Sequence, residues 1–155
     1  MSFALDHGSP LDVLQDDIHR AETITPGLVE NVVARGCPRF KAQHPSAKAK
    51  LSRLIEAGAF VDATIALIEL ELPGWKLRRL LWNDYTWHCS LSKEPALPLE
   101  LSETAEGMHT ILPLAILGAF VEARSISLAA REGRSGSVPH VRFAQGDALC
   151  CDNFS

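Results

Sequence analysis

The alternation of apolar and polar residues over residues 75–91 predicts a β-hairpin. Residues 75–82 and 85–91 are rich in aromatic and branched side chains, which are favoured in strands. Asn83-Asp84 lies between them, and both residue types tolerate the positive backbone angles of a two-residue hairpin turn. The pattern therefore indicates two antiparallel strands joined at Asn83-Asp84.

The register set by that turn predicts two different faces of the hairpin. Paired residues share a face because side chains alternate along a strand. The face expected on the core pairs Trp82 with Tyr85, Leu80 with Trp87, Arg78 with Cys89 and Lys76 with Leu91. The other face, which we expect to serve as an interaction surface, carries Trp75, Leu77, Arg79, Leu81 and His88. Helices must cover the first face, since an isolated hairpin is marginal in water.

Two helical segments are predicted before the hairpin. Pro45-Ser46 begins the first, which has apolar residues at helical spacing and ends at Gly58 in a left-handed cap. Residues 59–72 are ambiguous, because residues 68–72 alternate as a strand would. Their length and alanines favour a buried helix, which is the prediction here.

A long helix is predicted over about residues 102–128. Ser102 is a suitable N-cap, and Glu103 and Glu106 in the first turn suit the helix dipole. Pro113 would then lie in the helix interior and kink it. The helix is expected to expose a small-residue surface where another backbone approaches, and to return to water at Arg124. The small residues are Ala115, Gly118 and Ala119.

The predicted elements indicate an α+β fold, with two to four helices packed on a small antiparallel hairpin sheet. We expect a compact domain over residues 45–130, followed by a linker and tail over 131–155. Residues 1–44 contain helix starts at Ser9-Pro10 and Thr25-Pro26, but the first helix is short and its flanks are polar. This N-terminal segment is expected to be variable or partly disordered.

Size and charge exclude several classes of protein. The chain has 155 residues, 46% of them hydrophobic, and a net charge of −4. An acidic balance disfavours nucleic acid and anionic membranes as partners. The N-terminus lacks a secretory pattern, and the longest apolar run, residues 111–121, is shorter than the about 20 residues that span a bilayer. The four cysteines lack disulfide-framework or zinc-finger spacing, so a reduced cytoplasmic protein is expected.

A resemblance rests on three phrases of this sequence. They are LPGWKLRRLLWNDYTWHCSLS, LPLAILGAFVEAR and the closing CCDNFS. Over about residues 46–155 the chain resembles a group of small alphaproteobacterial, chiefly rhizobial, proteins that have no assigned activity. The resemblance implies a bacterial, soluble protein and implies no mechanism.

Candidate chemistry is weak throughout the chain. Cys150 and Cys151, with His140, have thiolate and imidazole groups for a metal or redox site, but adjacent residues point apart. His88 and Cys89 cannot form a dyad for the same reason. Glu106 and His109 form one E-x-x-H pair, whereas bridged metal sites need two. The sequence contains no nucleotide-binding or hydrolase motif, so no catalytic, cofactor or metal residue is assigned.

The sequence therefore favours a non-enzymatic protein-interaction or regulatory module that binds a protein partner or itself. Apolar helical surface in excess of what one hairpin can cover motivates this hypothesis. Two alternatives are a thiol-based redox or metal sensor using Cys150 and Cys151, and a small enzyme with a pocket between hairpin and long helix. Basic and aromatic residues over 75–93 also mimic a nucleic-acid stacking platform, which the acidic chain disfavours.

Overall fold

The computed structural model describes residues 8–42 and 45–135, which form an α+β fold. The described part contains six helices and one three-stranded antiparallel sheet of order β1-β2-β3. The helices are α1 (Pro10–Arg20), α2 (Pro26–Gly36), α3 (Pro38–Ala42), α4 (Pro45–Glu56), α5 (Phe60–Glu71) and α6 (Leu112–Ser135). The strands are β1 (Lys76–Asn83), β2 (Thr86–Ser92) and β3 (Thr104–His109), with a short 3-10 turn at Leu99–Leu101. The predicted α+β class is confirmed, but the described part contains six helices where two to four were predicted, and the sheet has one more strand than the hairpin.

Helix α6 lies at the centre of the fold. It packs against β3 and β2 on one side and against α1 and α5 elsewhere. Every residue from Leu114 to Val121 is buried, so this stretch has no solvent-facing stripe. A helix that is apolar all round requires partners all round, and here the sheet and the helices supply them. By length and composition Leu112–Gly133 could also cross a membrane, but 56% of its most apolar window is buried within the protein.

The two N-terminal helices join the same core. Ser9 caps α1 by accepting a hydrogen bond from the N–H of Leu11, and Thr25 caps α2 in the same way from Leu28. Leu14, Val29 and Val32 are fully buried. The structure thus differs from the partial disorder expected for residues 8–42. The apolar stripe of α1, which the sequence suggested was too short to dock, packs against both α6 and α2.

Helices α4 and α5 follow the sequence prediction. Helix α4 ends before Gly58, which has a left-handed φ of 71°. Residues 60–71 are helical, so the choice of helix over strand for this segment is confirmed. The alternation of apolar and acidic residues from Ile68 to Leu72 does not reflect a strand. Ile68 and Leu72 are four residues apart on the buried side of the chain, and Glu71 is buried beside them.

The hairpin forms, but its turn lies one residue later than predicted. Asp84 and Tyr85 have positive φ values of 48° and 61°, as a primed turn requires at both central positions. Asn83 is instead paired with Thr86. This places Trp82 opposite Trp87, with ring centroids 5.1 Å apart. The predicted register is therefore wrong. The pairing of two large aromatic rings is a favourable arrangement that the Asn83-Asp84 turn would have prevented.

A β-bulge at Arg78 shifts the register again near the start of β1. Leu80 pairs with Cys89 and Arg79 with Ser90, but Leu77 pairs with Leu91. Because one residue is extra, Leu77 moves to the sheet face that carries Leu80. Cys89 and Leu91 are buried on that face, so its assignment to the core is confirmed for β2.

The start of the predicted long helix is wrong. Residues Thr104–His109 form β3, paired antiparallel with β2, and α6 begins at Leu112. Pro113 therefore lies in the first turn of α6, where its missing N–H has no helical partner to lose, and no interior kink results. Glu106 and His109 lie on opposite faces of a strand, so they do not form the helical pair that their spacing suggested.

Candidate binding surface on the β-sheet

Strand β1 is an edge of the sheet and lies outside the cover of α6. The helix packs on β3 and on the adjacent part of β2. At the opposite edge of the sheet, the N–H of Glu106 in β3 donates a hydrogen bond to Oε2 of Glu122 at 2.7 Å. A side chain of α6 therefore satisfies a backbone group on the outer side of β3. In the described part, β1 makes backbone hydrogen bonds to β2 alone. Half of the β1 peptide groups therefore point away from the sheet.

An apolar strip runs along the α6 side of β1. Leu77, Leu80 and Trp82 are 45%, 37% and 50% exposed, although their partners on β2 pack on the core. Tyr85 in the turn is 84% exposed and extends the strip. We call these four residues the β1 strip. Isolated exposed apolar residues are common, but four along one uncovered edge form a contiguous patch of the kind found at interaction sites.

The five residues predicted to form the interaction surface are divided by the structure. Trp75 is buried, and its Nε1 donates to Ser127 Oγ of α6 at 3.1 Å, so it anchors the start of β1. Leu77 belongs to the β1 strip because of the bulge. Arg79, Leu81 and His88 do share the face directed away from α6, as predicted.

That second face contains a cleft of about 260 Å³. Two cross-strand rows build it: Arg79, Ser90 and Glu106 in one, and Leu81, His88 and Met108 in the next. Ser90 is the small central residue of its row, so the longer side chains on either strand flank a depression above it. Arg78, displaced by the bulge, also lines the cleft.

Two buried polar atoms at this cleft have no hydrogen-bond partner among the described residues. They are Oγ of Ser90, a residue only 8% exposed, and Nη1 of Arg78. The ion pair found in the described part, between Lys93 and Glu103, involves neither Arg78 nor Arg79. The cleft therefore has unused hydrogen-bond donors, and burial makes unmet donors costly.

The structure does not support a reactive thiol at Cys89. Its side chain is buried on the face covered by α6, and desolvation by burial raises the pKa of the thiol from 9.0 to about 12. A thiol in that state is a poor nucleophile, because the thiolate is the reactive form. Cys89 also pairs with Leu80 and not with Arg78, which the predicted register placed opposite it.

The thiol or metal site suggested for Cys150, Cys151 and His140 lies outside the described residues. Within residues 8–42 and 45–135, no group of three or more His, Cys, Asp or Glu side chains is placed to hold a metal ion. Gly107 of β3 lies in contact distance of the α6 backbone, so no pocket opens between them. A cavity of about 230 Å³ lies at the base of the hairpin, where Trp75 and Lys93 line it together with Arg124 and Ser127 of α6. The enzyme alternative that was based on a pocket between hairpin and long helix stays a prediction.

Two buried charged residues were missed from the sequence. Arg124, expected in water, is 6% exposed and donates through Nε to the carbonyl oxygen of Gly36 at 3.0 Å. Glu71 is also buried, and its Oε1 accepts from the N–H of Phe40. Each side chain satisfies a backbone group at a helix end, α2 and α3 respectively. The sequence around them contains no clear signal, since Glu71 follows Glu69, and Arg124 follows Glu122, by only two residues.

Ser90 and Glu106 were also missed as members of the cleft. Glu106 could not be placed there while residues 102–110 were assigned to a helix. The signal for Ser90 was its neighbourhood, since Ser90 and Ser92 are small polar residues on a strand otherwise rich in large side chains.

A scan against protein-family models finds no matching family, and searches of curated proteins and of solved structures find no significant match. The resemblance to alphaproteobacterial proteins therefore stays a prediction, and function must be argued from the geometry of the sheet.

Proposed function

We propose that this protein is a non-enzymatic interaction module that binds an extended segment of a partner protein along β1. The observation that carries the proposal is the edge of β1, which no other described residue covers and which combines unpaired peptide groups with the β1 strip. An extended peptide can add a strand to such an edge, so that main-chain hydrogen bonds supply affinity and alternate side chains supply specificity.

The charge of β1 indicates the chemistry of the partner. Lys76–Asn83 carries three basic residues and no acidic residue, in a chain whose net charge is −4. A basic edge on an acidic protein favours a segment that alternates acidic and apolar residues. Its apolar side chains would contact the β1 strip, and its carboxylates would lie near Lys76 and Arg79.

A second copy of the chain is the alternative occupant. Antiparallel pairing of two β1 strands would bury the same strip in a symmetric interface. It would also bring two sets of basic side chains together without an acidic partner, and like charges facing each other are destabilising. The charge of the edge therefore favours a different, acidic partner.

The apolar contribution to such binding is substantial. Full burial of a side chain such as Leu or Trp contributes about 1.5–3 kcal/mol relative to exposure. Trp82 and Leu80 each retain more than a third of their surface in water. Burial of that remaining surface is worth about 0.6–1.5 kcal/mol, so loss of one of them should weaken binding by roughly threefold to tenfold.

The experiment is an NMR titration of the ¹⁵N-labelled full chain with an eight-residue peptide that alternates Glu and Val. We expect saturable shifts confined to β1 and its turn, and slower hydrogen exchange of the outward β1 amides. Trp82→Gln and Lys76→Gln should weaken binding, whereas Met108→Gln, an equally exposed apolar residue on β3, should not.

Three outcomes would reject this proposal. Binding of a Lys-for-Glu peptide with equal affinity would show that charge does not select the partner. Shifts away from β1, or no binding at millimolar peptide, would show that the edge is not the interface. A dimer by size exclusion with light scattering that Trp82→Gln dissociates would identify a second copy as the occupant.

A further inference from the structure

We infer that the cleft on the sheet face away from α6 is a binding site for a small oxyanion, either a phosphate or a carboxylate group. This site is separate from the β1 strip, which lies on the opposite face of the sheet, and the inference does not depend on the proposed partner peptide.

The first argument is the unused hydrogen-bonding capacity of buried groups. Ser90 is more than nine-tenths buried, and its Oγ has no partner among the described residues. Nη1 of Arg78 is buried and equally without a partner there. Both residues line the same cleft. A serine hydroxyl and a guanidinium N–H are donors, and an oxyanion accepts from both.

The second argument is the shape of the cleft. Arg79, Ser90 and Glu106 form a cross-strand row on three neighbouring strands. Neighbouring strands are about 4.8 Å apart, so the backbones of Arg79 and Glu106 are separated by roughly 10 Å with the small Ser90 between them. A volume of about 260 Å³ accommodates a phosphate or a short carboxylate with room for the rest of a small molecule.

The third argument is the balance of charge in the cleft. Arg78 and Arg79 contribute two positive charges and Glu106 one negative charge, and none of the three is in an ion pair within the described part. The net charge attracts an anion, and Arg suits oxyanions because its planar donors match their geometry. Glu106 opposes an anion, which makes its replacement informative.

The experiment titrates the ¹⁵N-labelled full chain with inorganic phosphate and, separately, with acetate, at constant pH and ionic strength against a chloride control. We expect saturable shifts of the amides around Ser90 for at least one of the two probes. The probe that binds more tightly identifies whether phosphate or carboxylate is the preferred group.

Four variants test the residues of the site. Ser90→Ala should weaken anion binding about tenfold, because one hydrogen bond to a charged group is lost, and Arg78→Gln should do the same or more. Glu106→Gln should tighten binding several-fold, since a like charge is removed. Arg53→Gln, which removes an exposed charge on α4, is the matched control and should leave the affinity unchanged.

The Ser90→Ala variant distinguishes a loss of anion affinity from a loss of stability. Removal of a buried hydroxyl without a partner should leave the denaturation midpoint equal or higher, so lost binding with retained stability supports the site. A purely structural Ser90 would show no loss of anion affinity. Trp82→Gln should leave anion binding intact, and Ser90→Ala should leave peptide binding intact, so the two proposals can fail independently.

The inference is overturned by any of three results. The first is the absence of saturable shifts up to tens of millimolar of both probes. The second is equal weakening by Arg53→Gln and Arg78→Gln, which would indicate general charge screening. The third is weaker binding in Glu106→Gln, which would show that the ligand requires a carboxylate partner.

Discussion

Gly107 in β3 lies so close to Ala115 in α6 that a Cβ on Gly107 would be 2.1 Å from the Ala115 carbonyl oxygen. The amide nitrogen of Ala119 would be 2.4 Å from the same position. The helix and the strand therefore meet backbone to backbone, and the small residues of α6 form the surface that β3 approaches. This contact brings the central helix onto the sheet, and its position over β3 leaves β1 uncovered.

The Gly107 contact predicts opposite effects for two neighbouring substitutions. Gly107→Ala should lower the free energy of unfolding by about 3 kcal/mol, because the clash involves backbone atoms that cannot rotate away. Gly118→Ala should be neutral or stabilising by up to about 1 kcal/mol, since its Cβ would make an ordinary contact at 3.6 Å and alanine favours helices. Urea denaturation of both variants measures this contrast, and equal effects would contradict the contact.

The buried Arg124 predicts a cost for losing its hydrogen bond. Arg124→Met retains much of the apolar packing but leaves the carbonyl oxygen of Gly36, at the end of α2, without this donor. We expect a loss of about 1–3 kcal/mol in the free energy of unfolding. Arg35→Met, an exposed arginine in the last turn of α2, is the control and should change stability by less than about 0.5 kcal/mol.

Cys89 predicts a loss of stability at alkaline pH. Burial raises the pKa of its thiol from 9.0 to about 12, so the folded state holds a proton that the unfolded state releases. The stabilisation is complete below pH 9 and is lost as the pH rises towards 12, by at most about 1.4 kcal/mol per pH unit. The difference in unfolding free energy between wild type and Cys89→Ala should therefore shrink by about 1 kcal/mol from pH 9 to pH 10, since the unfolded thiol is already half ionised at pH 9. A constant difference would disprove the thiol's contribution.

His109 predicts a loss of stability at acid pH. Its Nδ1 accepts a hydrogen bond from the N–H of Ile111 at 3.0 Å, just before α6, which requires an unprotonated nitrogen. Desolvation lowers the pKa of His109 below 6.5, and nearby His19 acts in the same direction, while backbone carbonyls of Ala21 and Ile18 oppose them. The unfolded state thus binds the proton more tightly, so stability is full above pH 6.5 and falls as the pH drops below it.

The control for His109 is His109→Asn, which keeps an acceptor without a titrating ring. Its unfolding free energy should fall less steeply between pH 6.5 and 5 than that of the wild type, as measured by thermal or urea denaturation. Identical slopes would show that protonation of His109 does not contribute.

The hairpin shows which structural features the local sequence pattern predicts and which it does not. Aromatic and branched residues placed two strands near residues 76–83 and 86–92, and their alternation assigned Cys89 and Leu91 to the core face. The turn was misplaced by one residue because Asn83, Asp84 and Tyr85 offer two adjacent solutions. The pairing of Trp82 with Trp87, together with the bulge at Arg78, selects between them.

Strand β3, in contrast, could not be predicted from its local sequence. The segment 104–109 is short and adjoins a strongly helical run. Its one acid, Glu106, together with the preceding Glu103, is typical of the first turn of a helix. Their extended form depends on hydrogen bonds to β2 and on the contact of Gly107 with α6, and neither partner is visible in the local sequence. The cleft depends on this strand, so Ser90 and Glu106 could not be brought together from the sequence.

The sequence by itself determined the elements whose signals are local. These are the proline-led and capped helix starts, the stop at Gly58, the helix over residues 60–71 and the existence of the hairpin, because capping, backbone angles and side-chain spacing act within a few residues. Only the tertiary structure decided which surfaces stay uncovered. The burial of Trp75 and Arg124, the docking of α1 and α2, and the exposure of the β1 strip follow from where α6 lies. That position is set by close packing between residues distant in the chain.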